Sequence, residues 1–122
     1  MSALLKSLKS FRFAFRGLKI LFIGENNIKI HSAFTIAVVI FGLLLKISLI
    51  EWALIIICIG LVFSAEAFNS AVERLVDLIS PEQNHLAGVI KDLAAGAVLI
   101  TAVAAFAVGI IIFIPKLLAF IL

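Results

Sequence analysis

The chain opens on a short period and then changes to long unbroken apolar runs. Over residues 3–22, Leu4, Leu8, Phe11, Phe15, Leu18 and Phe22 recur every three or four places, and Lys6, Lys9, Arg12, Arg16 and Lys19 keep the same spacing beside them. That pattern predicts an amphipathic helix lying in the headgroup layer, its basic stripe drawn to an anionic leaflet. Phe13, Ile20 and Leu21 fall off the apolar face, so part of this helix is expected to pack on protein. Three apolar stretches follow, at residues 30–49, 51–79 and 93–114, each long enough to cross a hydrocarbon core of about 30 Å. The expected fold class is all-α and integral to the membrane. It has three transmembrane helices and an N-terminal surface helix, in one membrane domain over residues 1–122.

Polar punctuation sets the joints. Gly24-Glu25-Asn26-Asn27 predicts a turn, and Lys46-Ile47-Ser48 closes the first span. Glu51-Trp52 opens the second, with Trp52 as an interface anchor. Helix continuing to residue 79 would be about 43 Å long, so its last part must leave the membrane. Ser80-Pro81-Glu82-Gln83-Asn84-His85 breaks the helix, because proline cannot continue the hydrogen-bond ladder. Ala94-Ala95-Gly96-Ala97 at the start of the third span permits close helix packing, and Pro115-Lys116 marks its outer end.

Composition narrows the class. Of 122 residues, 65% are hydrophobic and 14% charged; soluble domains carry about 25% charge. No separate soluble domain is expected, and nucleic acid is not an expected partner. Lys6, Lys9, Arg12, Arg16, Lys19 and Lys29 all precede the first long run against Glu25 alone, which predicts a cytoplasmic N-terminus. Lysines and arginines interrupt the first apolar residues, which is not the pattern of a cleavable signal peptide. Cys58, the single cysteine, lies mid-span and reads as a small buried hydrophobe. His31, at the mouth of the first span, reads as structural.

The chemistry concentrates between Ser64 and Asp92. Glu66, Asn69, Glu73 and Asp77 fall within an arc of about 80° on one helix face. Glu66 lies about 22 Å along the helix from Glu51, inside the acyl layer near its edge; Glu73 and Asp77, about 33 and 39 Å along, reach the headgroups. Acids running out of a membrane helix cost several kcal/mol unless something uses them. Glu25, Lys91 and Asp92 collect at the same boundary. Carboxylates near a lysine on the side that holds ATP fit magnesium–phosphate chemistry, with Glu25 and Glu73 as Mg²⁺ ligands and Lys91 offsetting phosphate charge. Glu66, its charged form disfavoured by lipid, fits a general base acting on an alcohol at headgroup depth. Two other readings of the same spacing stay open: a small proton-coupled transporter using Glu66, and a purely structural hydrogen-bonding role. Neither a G-x-x-x-x-G-K-[ST] loop nor a G-x-G-x-x-G is present, so the common soluble nucleotide cradles are excluded.

At these residues the sequence resembles the small prokaryotic diacylglycerol kinases and undecaprenol kinases. The central motif reads Glu66-Ala67-Phe68-Asn69-Ser70-Ala71-Val72-Glu73, then Asp77, and the second block reads Lys91-Asp92-Leu93-Ala94-Ala95-Gly96-Ala97-Val98. Arg16-Gly17, Glu25-Asn26, Ile50-Glu51-Trp52 and Phe113-Ile114-Pro115-Lys116 extend the match over essentially the whole chain. The resemblance implies a homotrimer in the bacterial cytoplasmic membrane, with sites shared between subunits on the cytoplasmic side. It implies ATP- and Mg²⁺-dependent phosphorylation of a lipid alcohol. By motif position Glu66 is the catalytic base, and Glu25 and Glu73 meet metal and ATP. Lys91 and Asp92 contact the nucleotide, and Asn69 and Asp77 form the surrounding polar network. Lys6 and Glu82 match further nucleotide-contacting positions. His85 stands one place later than the corresponding histidine in relatives, and Phe13 lacks the hydroxyl that some relatives carry. Ile50-Glu51-Trp52, His31 and Pro115-Lys116 point to the undecaprenol branch, with diacylglycerol as the alternative substrate.

Overall fold

In the computed structural model, which describes residues 2–122, four helices follow one another: α1 (Ala3–Gly24), α2 (Asn26–Leu44), α3 (Leu49–Ile79) and α4 (His85–Ile121). α2, α3 and α4 are each long and apolar enough to cross a membrane. With 31 and 37 residues, α3 and α4 outrun a bilayer core; at 1.5 Å per residue they measure about 46 and 55 Å.

The helix ends follow from local chemistry. Ser2 accepts a hydrogen bond from the Leu5 amide and starts α1. Ser48 and Glu51 form a reciprocal capping box at the start of α3, and Asn84 caps α4 through the Ala87 amide at 2.9 Å. α2 ends in a left-handed turn. Lys46 has φ 52°, and the Ile47 amide returns to the Gly42 carbonyl at 3.2 Å. This is the αL closure of a helix C-terminus, with lysine where glycine is usual.

Three joints differ from the sequence reading. The turn expected at Gly24–Asn27 shrinks to Glu25 alone, which adopts an extended conformation while α1 runs to Gly24 and α2 starts at Asn26. The first long helix stops at Leu44 rather than 49, because Ile47 turns inward to join Ile55 and Ile112 in the buried apolar cluster. Pro115 does not end α4; it sits inside a helix that runs on to Ile121. A proline removes one intrahelical bond. Apolar residues on both sides and the pairing of Lys116 Nζ with Glu51 Oε1 at 3.3 Å keep the last turns helical.

α3 and α4 pack as an antiparallel hairpin, with Glu51–Lys116 joining them at one end and Asp77–Lys91 at the other. Gly42 lets α2 approach: a Cβ there would lie 2.7 Å from the Trp52 ring. α1 touches the rest near its C-terminus, where Leu21 is buried and Phe22 stacks at 5.4 Å on Phe63. Most other large apolar side chains stay on the surface of the single chain.

Candidate functional site

The polar residues of α3 meet the start of α2 where α1 joins it. Glu66, Asn69 and Ser70 are the buried polar side chains there. Glu66 is 4% exposed, and its Oε1 is 2.9 Å from His31 Nε2 on α2. Glu66 therefore faces protein, not lipid tails. Glu25, at the N-cap of α2, makes no cap bond to its own helix. Its Oε1 instead accepts from the Ser70 hydroxyl at 2.6 Å and lies 3.7 Å from Arg74 Nη2. Arg74 Nε also approaches Ser70 Oγ at 3.4 Å.

One turn along, Asn69 Nδ2 donates to Glu73 Oε1 at 3.2 Å, while Asn69 Oδ1 is buried without a partner. Further out, Lys91 Nζ holds Asp77 Oδ1 at 2.6 Å across the α3–α4 hairpin. The acidic ladder is thus divided into pairs. Glu66 and Glu25 are tied to other elements, Glu73 to its own helix, and Asp77 to α4.

Three expected positions stand apart within one chain. Lys6 is exposed on α1, Glu82 lies exposed in the 80–84 connection with its carbonyl accepting from Ser80, and Asp92 is exposed on α4. None of the three has a described ion-pair partner. Three residues that sequence reasoning left out belong to the cluster: His31, Ser70 and Arg74. Ser70 lies inside the Asn69-Ser70-Ala71 motif, and Arg74 is the one cation of α3; both signals were available in the sequence. His31 read in the sequence as structural and as a mark of the undecaprenol branch, with nothing to tie it to Glu66.

Among the described residues no group of three or more His, Cys, Asp or Glu is arranged to hold a metal by itself. Glu25, Glu73 and Asn69 Oδ1 are all oxygen donors, and Asn69 Oδ1 is buried without a partner beside Glu73. That chemistry suits Mg²⁺, which takes one or two carboxylates and completes its shell with phosphate oxygens and water. Beside the polar cluster, an apolar groove of about 550 Å³ runs between α2, α3 and α4, from His31 to Leu45 along α2. Phe34, Val38, Ile59 and Phe106 are among its walls.

The sequence profile of the prokaryotic diacylglycerol kinase family matches residues 12–113. The chain belongs to that family. It is 45% identical over 109 residues to the undecaprenol kinase of Bacillus subtilis (strain 168), covering 89% of each chain. It is 39% identical over 113 residues to the diacylglycerol kinase of Synechocystis sp., covering 92% of this chain and 65% of that one. It is 31% identical over 98 residues to the diacylglycerol kinase of Escherichia coli (strain K12), covering 80% of each. The protein is a membrane lipid kinase with ATP as phosphate donor, and the α3 acids, buried Glu66 among them, lie within the matched segment.

Proposed function

We propose that this kinase transfers the γ-phosphate of Mg²⁺-ATP to undecaprenol, producing undecaprenyl phosphate. The observation that carries the choice of lipid is the 45% identity to an undecaprenol kinase over 89% of both chains. Diacylglycerol is the second reading, favoured by the family's name and by the diacylglycerol kinases among the relatives. Both alcohols present a hydroxyl at the same depth, so the polar cluster serves either.

In this reading Glu66 takes the proton of the lipid hydroxyl, the oxygen bonds to the γ-phosphorus, and the bond to the ADP oxygen breaks. Burial supports the role, because Glu66 is 4% exposed and held by His31, which lines the apolar groove where a lipid chain would lie. Glu25 and Glu73 would hold Mg²⁺, which supplies charge neutralisation at the phosphates. Lys91 and Asp92, with Lys6 and Glu82, contact the nucleotide. Asn69 and Asp77 orient the surrounding groups.

The single membrane domain works as a homotrimer in the bacterial cytoplasmic membrane. The basic residues of α1 lie in the inner headgroup layer, and the site faces the cytoplasm. Support comes from the six cations preceding the apolar part of α2 and from the apolar surface that one chain leaves exposed. Lys6, Glu82 and Asp92, without an ion-pair partner among the described residues, are the residues a neighbouring subunit's site would use.

The test is purified protein in mixed micelles with Mg²⁺ and labelled ATP, offered undecaprenol and diacylglycerol in competition. Preferential labelling of undecaprenol is expected. Preferential formation of phosphatidic acid would move the assignment to the second reading.

A further inference from the structure

Glu66 is the one buried ionisable side chain among the described residues, and its hydrogen bond crosses 35 positions of sequence to His31. We propose that His31 is the positioning residue of the catalytic base: its Nε2–H holds Glu66 Oε1 and leaves Oε2 to the acceptor hydroxyl. This rests on the reading of Glu66 as the base.

Four features carry it. An ionised carboxylate only accepts hydrogen bonds, so the imidazole nitrogen 2.9 Å away must be the donor. That fixes the Nε2–H tautomer in the neutral ring, with Nδ1 unprotonated. Held by one N–H, the carboxylate is oriented through Oε1 alone. The cations of the cluster are engaged elsewhere, Arg74 beside Glu25 and Lys91 on Asp77.

The second carboxylate oxygen is not sealed off. Oε2 is absent from the described hydrogen bonds, and it is not among the buried atoms left without a partner. His31 is also part of the wall of the apolar groove, while Glu66 is not. The imidazole thus stands between the base and the apolar space beside it. In the transfer step the lipid O–H proton goes to Oε2, the new O–P bond forms as the bond to ADP breaks, and His31 keeps its own proton throughout. A base turned out of line by about 1 Å loses on the order of 10²-fold in rate.

The experiment compares wild type with His31→Leu and His31→Gln in the full-length protein, with Glu66→Gln as reference. His31→Leu keeps an apolar body and loses the donor; the Gln amide can replace Nε2–H. The expected result for His31→Leu is a fall in kcat of about 10- to 100-fold with the KM for ATP unchanged. His31→Gln is expected to restore most of the loss. Adding His31→Leu to Glu66→Gln is expected to cost nothing further, because the two residues act as a unit.

Wild-type kcat in His31→Leu beside an inactive Glu66→Gln overturns the positioning role and spares the base. Full activity in Glu66→Gln removes the base itself. Equal losses in His31→Leu and His31→Gln, or a loss carried by the KM for ATP, also overturn the proposal. Should His31→Leu fail to assemble, ¹⁵N-histidine spectra of the wild type decide: protonated Nε2 with bare Nδ1 is expected at neutral pH, and the opposite tautomer refutes it.

Discussion

At the scale of single residues, the α3 acids are separated by what they touch. Glu66 is buried against an imidazole, and Glu73 is half-exposed and holds only an amide of its own helix. Glu66→Gln keeps the size and can still accept from His31, so the fold is expected to survive. The proposed proton abstraction does not survive: kcat is expected to fall by about 10²- to 10⁴-fold, the usual share of a general base. Turnover of the purified variant beside its elution from a sizing column checks both halves. Glu73→Ala acts differently. It removes a proposed oxygen ligand and leaves Asn69 with neither amide nitrogen nor Oδ1 engaged. Titration with ATP at several Mg²⁺ concentrations is expected to show weaker, less metal-dependent binding; an unaltered isotherm would remove Glu73 from the metal set.

At the scale of helices, the joint between α2 and α3 sets how closely the two approach. A methyl at Gly42 would sit 2.7 Å from Trp52 and 3.2 Å from Ile47. Gly→Ala gains about 1 kcal/mol of helix propensity, but forcing volume into a packed joint costs about 1–3 kcal/mol. Since the obstacle is a rigid indole ring, the packing loss is expected to win by about 1 kcal/mol. A lower unfolding midpoint of Gly42→Ala in detergent checks this, and Trp52→Leu in the same chain should recover part of it. Lys46 carries the opposite expectation. Its φ of 52° is the glycine conformation, and an L residue there costs about 1 kcal/mol. Lys46→Gly should raise the midpoint modestly.

These joints also show what the sequence could and could not disclose. The three long helices were legible because apolar runs of that length have one stable use in lipid. The ladder from Glu66 to Asp77 was legible because helical period alone places those residues on one face. Pro115 misled, since a proline stops a helix in water more readily than one with apolar turns on both sides and an ion pair beyond it. Glu25–Ser70 and His31–Glu66 join residues 45 and 35 positions apart, and only the packing of α2 on α3 creates them. No spacing rule reaches across such a gap.

At the scale of the whole molecule, the division between paired and unpaired polar residues bears on assembly. Within one chain Glu66, Glu25 and Lys91 have partners, while Lys6, Glu82 and Asp92 have none described. If a trimer shares its sites, the base of one subunit works with the nucleotide contacts of the next. Two inactive variants, Glu66→Gln and Asp92→Ala, should then complement each other when co-expressed. In a random equal mixture about three quarters of the trimers contain both chains, and a cyclic three-fold arrangement restores one site in three in each. Activity is therefore expected to return to about one quarter of wild type from two parents that have almost none. A site completed within each chain predicts no recovery, because every site then carries one defect. The measurement needs only lipid-kinase turnover of the co-purified mixture against each variant alone.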